Sequence, residues 1–298
     1  MKLALVFLAM LFGMSAAAQS DRFDKVEIKT TRLTQNLYLL EGEGGNIGVS
    51  AGDDGVFVID DQFAPLTARI FAAIKAISDK PVRFLINTHW HFDHTGGNEN
   101  FGKAGAVIVA QDNVKKRLAT KTAIEFFKSA YGPTAAAGLP VITFKDTVTF
   151  HLNGDEATAI HVPNAHTDGD SIIHFRAGNV VHMGDTYFNG LYPFIDTGTK
   201  GSVKGMIAAA DRALAITDDT SKIIPGHGPL SNKAELKAYR DMLAKVYANV
   251  DAMVKARKTL AQVIAARPTK DYDAKWGNGF LKPDQFAEIV YASAVKNR

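Results

Sequence analysis

Thr88-His89-Trp90-His91-Phe92-Asp93-His94 places three histidines and an aspartate within the six positions 89 to 94. Imidazole is the commonest neutral ligand of a zinc-like ion, and a carboxylate beside it ligates or acts as a base. Buried together without a shared cation, such groups would each carry an uncompensated desolvation cost. The stretch therefore reads as a metal centre. Just before it, Val82-Arg83-Phe84-Leu85-Ile86 has the length and composition of a short buried strand. The ligands then lie at a strand's C-terminal end, the edge where open α/β sheets gather their sites.

Upstream, Leu37–Leu40, Asn46–Val49 and Val56–Ile59 read as strands joined by Gly-rich or Asp-Asp-Gly turns. Leu66, Ile70, Ala73, Ile74 and Ile77 recur at helical spacing and predict a helix over Pro65–Ile77. Downstream come a strand at Ala106–Ala110 and a helical segment from Asp112 to Tyr131, broken by Gly132 to Pro140. Phe126 and Phe127 are expected in the core of that segment, with an apolar lid as the other reading for them and Tyr131. The second half repeats the theme. Strands are predicted at Val141–Phe144, Thr147–Phe150, Ala157–Val162, Ser171–Phe175 and Val180–Met183. Helices follow at Val203–Ala215, Lys233–Arg267 and Pro283–Lys296. Strands in a block and then helices, twice over, favour an α+β sandwich of two sheets over a doubly wound parallel sheet. The halves also echo each other. Asp54 to Asp60 and Gly178 to Asp185 each run as a turn, an apolar strand and an aspartate at its end.

The chain opens with Met1-Lys2, an apolar run from Leu3 to Met14, and Ser15-Ala16-Ala17-Ala18. That order predicts a cleaved secretory signal over residues 1–18, a domain over 19–298 ending in a helical segment, and a periplasmic or secreted destination. The apolar run is short for a bilayer span, which needs roughly 20 residues, so no span is expected after cleavage. The formal charge of +3, falling to +2 without Lys2, is too small to imply a nucleic-acid partner, and no basic stripe appears. With 0 cysteines the fold has no disulfides, and any metal must be held by histidine and carboxylate.

Three further polar residues sit where strands are expected to end. His166 lies in Pro163-Asn164-Ala165-His166-Thr167-Asp168-Gly169-Asp170, Asp185 directly follows a buried strand, and His227 lies in Pro225-Gly226-His227-Gly228. From His91 the separations are 75 residues to His166, then 19 to Asp185 and 42 to His227. In type, order and spacing these motifs resemble the metallo-β-lactamase superfamily over nearly the whole chain after residue 18. The resemblance implies a four-layer αββα sandwich of two mixed sheets flanked by helices, with two Zn(2+) per chain at one edge. It assigns His89, His91 and His166 to a first metal and Asp93, His94 and His227 to a second. Asp185 matches the carboxylate that bridges them, and Asp60 an aspartate that orients a ligand histidine. His151, His161, His174 and His182 lie in strand-like segments and are expected to be structural.

The implied activity is that of an exported dinuclear zinc hydrolase, in which a metal-bound hydroxide opens a cyclic or activated acyl bond of a small-molecule substrate. Asp93 would orient the nucleophile and pass on its proton. Tyr187, Asn189 and Tyr192 follow Asp185 on an expected rim loop and are candidate oxyanion donors. A β-lactamase-like activity is the leading label. Asp185 stands where one lactamase branch has cysteine, and Phe188 where that branch has a lysine to grip the drug's carboxylate. A bridging aspartate together with His94 resembles glyoxalase II and lactonases more, so a lactonase or thioesterase is the alternative. A non-catalytic metal-binding protein is a third reading.

Overall fold

The computed structural model describes residues 22–296, so the predicted signal over 1–18 lies outside the described residues. Four antiparallel strands lead: β1 (Lys29–Arg32), β2 (Leu37–Glu41), β3 (Ile47–Gly52) and β4 (Gly55–Ile59). Helix α1 (Thr67–Ile77) then crosses to β5 (Val82–Asn87), which pairs parallel to β4. The histidine motif ends inside a short helix, α2 (Phe92–Thr95), and a second, α3 (Asn98–Lys103), follows it. After them come β6 (Val107–Gln111) and α4 (Asp112–Leu118). A hairpin of β7 (Thr122–Ile124) and β8 (Ser129–Tyr131) precedes β9 (Ile142–Phe144), which completes a seven-stranded mixed sheet in the order β1-β2-β3-β4-β5-β6-β9.

The second sheet has five strands: β10 (Thr147–Leu152), β11 (Asp155–His161), β12 (Ser171–Phe175), β13 (Val180–His182) and β14 (Lys222–Ile224). Only its last pair, β13 and β14, is parallel, because α5 (Val203–Ala215) crosses between them. Helices α6 (Lys233–Lys255), α7 (Leu260–Ala265), α8 (Asp273–Trp276) and α9 (Pro283–Lys296) end the chain.

Three apolar clusters make these elements four layers. Phe57 and Ile59 of β4 meet Ile173, Phe175 and Ile224 of the other sheet in the space between the sheets. Val56 and Val58, on the opposite face of β4, pack with Ile70 and Ile74 of α1. Ile172, Val181 and Ile223 on the outer face of the second sheet pack with Met206, Leu243, Val246 and Phe286 of α5, α6 and α9. Every residue of β4 is buried, as expected of a strand covered on both faces. The echo noted in the sequence has a structural counterpart: β4 and β13 each pair parallel with the next strand of their sheet, and Asp60 and Asp185 follow their ends. No helix among the described residues is long and apolar enough to cross a membrane.

Two expected helices are corrected. The segment expected to be helical from Asp112 to Tyr131 is helical only to Leu118, then turns into the β7–β8 hairpin. The Thr122 hydroxyl donates to Arg117 O and the Thr134 N–H to Leu118 O, so the last carbonyls bond outside the helix, and β-branched Thr122 and Ile124 favour strand. Phe126 is consequently half-buried and Phe127 exposed, not core. The expected helix Lys233–Arg267 breaks after Lys255: Arg257 takes a φ of 58°, and Thr259 with Gln262 forms a capping box that starts α7. Strand β1 has mostly exposed residues and leaves no apolar alternation to read.

Candidate metal centre

The predicted ligands converge from four places at one edge of the sandwich. His89, His91, Asp93 and His94 follow β5, His166 lies between β11 and β12, Asp185 follows β13, and His227 follows β14. They form two groups whose nearest ligand atoms lie within 4.8 Å of one another: His89, His91, His166 and Asp185, and Asp93, His94 and His227. Asp185 touches both. Its Oδ2 is 3.4 Å from His166 Nε2 and 3.8 Å from His89 Nε2, while Oδ1 is 2.9 Å from His94 Nε2 and 3.3 Å from His227 Nε2. Asp93 Oδ2 lies 3.3 Å from His227 Nε2. Such approach needs bare backbone nearby. A Cβ on Gly226 would sit 2.1 Å from Asp185 Oδ1, and one on Gly45 would sit 2.1 Å from the His94 ring.

Hydrogen bonds on the outer side of each ring fix which nitrogen is bare. Asp60 accepts from Thr88 N–H and Thr88 Oγ1–H at 2.7 Å each and from His94 Nδ1–H at 2.8 Å, so His94 turns its Nε2 inward. Because the Thr88 hydroxyl proton goes to Asp60, Thr88 Oγ1 accepts from His89 Nδ1 at 3.0 Å, and His89 Nε2 is a lone pair without a partner. His166 Nδ1–H donates to Phe194 O at 2.8 Å, and His91 Nε2–H faces Asp196 Oδ2 at 3.3 Å. The remaining nitrogens, His166 Nε2 and His91 Nδ1, then meet lone pair to lone pair 2.8 Å apart. Two imidazole lone pairs do not hold that distance unaided. The buried donor set fits metal ions, and the cluster is capable of binding them.

Charge within the cluster points the same way. Burial, then His94, pushes His89 well below the usual imidazole range, and burial takes His166 down to about 4, so both rings are uncharged. Burial also works against charge on His227, but Asp185 and Asp93 outweigh it and hold the ring at about 9. His94 is likewise raised, Asp185 and Asp93 overcoming burial. Asp93 has burial pushing upward, yet His94 and His227 bring it down to about 2. Protons on His94 and His227 thus occupy the place a cation would take.

The predicted orienting role of Asp60 matches this geometry. Asp196, which does the same for His91, was not anticipated, since Phe194-Ile195-Asp196 carries no motif. Its carboxylate also accepts from the Thr199 hydroxyl and from the N–H groups of Gly198 and Thr199. The three rim candidates turn their side chains elsewhere, although the Asn189 N–H donates to His227 O at 2.9 Å. Tyr187 is buried with its hydroxyl 2.7 Å from Ser231 Oγ. Tyr192 stacks on Phe286 and donates to Asp273 Oδ1 at 2.9 Å, and Asn189 Nδ2 donates to Pro229 O at 3.1 Å. These bonds tie the three to the helical layer and the β14 loop rather than to the ligand ring. Of the remaining histidines, His182 is buried between Asn46 O and Gly184 N–H, a structural part as expected.

The model of the metallo-beta-lactamase superfamily matches residues 31–227. The chain is 23% identical over 279 residues to a linear primary-alkylsulfatase of Pseudomonas sp., covering 80% of this chain and 48% of that protein. It is 28% identical over 163 residues to a Schizosaccharomyces pombe protein described as "Probable hydroxyacylglutathione hydrolase glo2", covering 53% and 52%. It thus spans about half the length of these relatives. Among solved structures, the sec-alkylsulfatase Pisa1 from Pseudomonas sp. superposes with a TM-score of 0.69 at 16% identity, over 92% of this chain and 51% of that one. The DIM-1 metallo-beta-lactamase superposes at 0.60 and 18% identity, over 74% of this chain and 99% of that one. At these identities the solved structures speak to the shared fold.

Proposed function

We infer the activity from one premise: the chain belongs to the metallo-beta-lactamase superfamily. The reading is a hydrolase with two zinc ions per chain that opens an activated acyl bond, ester or thioester in the first place. His89, His91 and His166 would hold one ion, Asp93, His94 and His227 the other, and Asp185 would bridge them. The observation that carries this is the set of inward ring nitrogens on His89, His91, His94 and His166, each fixed by a partner on the outer side of its ring. Zinc bound there supplies Lewis acidity, which makes water nucleophilic near neutral pH and polarises a carbonyl.

The chain's own side chains account for the rest. Asp93, the most accessible of the site carboxylates, is placed to orient the attacking water and hand its proton to the leaving group. Asp60, Thr88 and Asp196 hold the rings in the tautomers ligation needs. Phe188 stacks on His227 with ring centroids 5.2 Å apart and offers no charge to a substrate carboxylate. That contact favours an ester or thioester over a β-lactam. Ring opening of a β-lactam stands as the second reading, on the strength of the fold match that spans 99% of a lactamase chain. Export through residues 1–18 belongs to the same proposal, and the N-terminus of the mature protein would decide it.

The test is hydrolysis by the zinc-loaded protein of a p-nitrophenyl ester, an acyl thioester and a chromogenic cephalosporin, each with a chelated control. Chelator-sensitive turnover of an ester or thioester is expected. A doubly loaded protein inert to all three would overturn the hydrolase reading in favour of a metal-binding one.

A further inference from the structure

Five large apolar side chains are exposed among the described residues, and the two phenylalanines among them, Phe127 and Phe280, both stand on aromatic chains that lead to the ligand histidines. Phe127, 47% exposed, lies 5.1 Å from Phe126 and 4.7 Å from Phe194 by ring centroid. Phe194 is 5.7 Å from the His166 ring and 6.0 Å from the His91 ring. From the other ligand group, Phe188 stacks on His227, and Phe280, 51% exposed, lies 6.3 Å beyond it. A third contact closes the hairpin down, with Tyr131 of β8 stacked on Phe92 at 4.2 Å.

The charges are arranged just as one-sidedly. The ion pairs of Asp60, Asp93, Asp185 and Asp196 are all with histidines; among the described residues none is with lysine or arginine. Arg117, two turns along the hairpin's preceding helix, is taken up by a bidentate pair with Asp168 at 2.7 Å. Apart from the ions themselves, an anionic substrate would find no side-chain cation in these contacts, whereas an aliphatic chain would find the exposed faces of Phe127 and Phe280, with Phe194 and Phe188 buried behind them.

We propose that the site takes an uncharged ester with a long aliphatic acyl chain, and that this chain lies along Phe194, Phe126 and Phe127. The proposal rests on the hydrolase reading above and names its substrate class. In the reaction a water oxygen bonds to the acyl carbon, the carbon–oxygen bond to the alcohol breaks, and one water proton leaves on that alcohol. The products are a carboxylic acid and a neutral alcohol. The wall is built by the β7–β8 hairpin, which the ligand geometry does not require; specificity can therefore change there without disturbing the centre.

The experiment is kcat/KM of the zinc-loaded full chain for p-nitrophenyl acetate, butyrate, hexanoate, octanoate and decanoate. Expected is a rise with chain length, at most about fourfold per methylene, the ceiling set by full burial of each CH2. Phe127→Ala should lower decanoate at least tenfold more than acetate, and Phe127→Leu should restore most of that difference. Circular dichroism on each variant checks the fold. A flat series in the parent, or a slope unchanged by Phe127→Ala, would overturn the proposal. Turnover of a thioester or cephalosporin with none of any ester would overturn it while leaving the hydrolase reading intact. Inertness to all would remove both.

Discussion

Asp60→Asn replaces two oxygens by an oxygen and an amide at a residue that accepts three hydrogen bonds, two from Thr88 at 2.7 Å and one from His94 Nδ1 at 2.8 Å. The variant's carbonyl oxygen can keep the Thr88 N–H. Its NH2 then stands where Asp60 Oδ2 received the Thr88 hydroxyl proton and the His94 ring proton, donor against donor. Relief comes only if His94 moves its proton to Nε2, which removes the inward lone pair, and if Thr88 turns its hydroxyl, which frees His89 Nδ1. One amide therefore disturbs ligands in both groups. Losing an orienting partner of this kind costs roughly 10–100-fold in metal affinity, about 1.4–2.8 kcal/mol. The backbone should tolerate the change, because Asp60 has a φ of 61° and asparagine enters that region readily. The assay is a competitive chelator titration of metal-free parent and variant, with circular dichroism to verify the fold. A folded variant that binds both metals within twofold of the parent's affinity would refute the tautomer argument.

Asp185→Ala should lower bound metal and hydrolysis together, and an active variant carrying two zincs would sink the bridging role. Stripping metal should lower thermal stability: at a free-metal concentration 100 times Kd each ion contributes about 2.7 kcal/mol, or roughly 5–10 °C by calorimetry. Metal affinity should strengthen as pH rises from 6 toward 9. His94 and His227, both raised in the metal-free protein and the latter to about 9, must release protons to ligate, so each contributes up to about tenfold per pH unit below its pKa. A pH-independent Kd in metal titrations would contradict this. Tyr187→Phe should cost about 1 kcal/mol of stability, from the lost bond to Ser231, with kcat/KM changed less than threefold; a hundredfold loss would return Tyr187 to the chemistry.

The ligand set was legible because each member follows a strand whose apolar run is easy to read, and because the separations are set by whole secondary elements. The sheets were legible for the same reason. Asp196 was not, since its role depends on a ring 105 residues away that the chain reaches only after folding. The β7–β8 hairpin was misread because the apolar spacing of Ile124, Phe126, Phe127 and Tyr131 fits a helix, while the bonds that end α4 come from Thr122 and Thr134. Tyr187 and Tyr192 were placed at the rim by closeness to Asp185 in sequence. Burial against Tyr239 and Phe286 decides their position instead, and nothing local in the sequence announces those helices as partners.

The central claim is that the inward-facing ring nitrogens and carboxylates make a two-metal hydrolytic centre. The most direct measurement titrates metal-free protein with zinc while reading bound metal per chain and hydrolysis of a p-nitrophenyl ester in the same samples. The account predicts that activity appears with bound metal and reaches its plateau at two equivalents. Full activity without metal, or two tightly bound zincs with no hydrolysis of ester, thioester or cephalosporin, would contradict it.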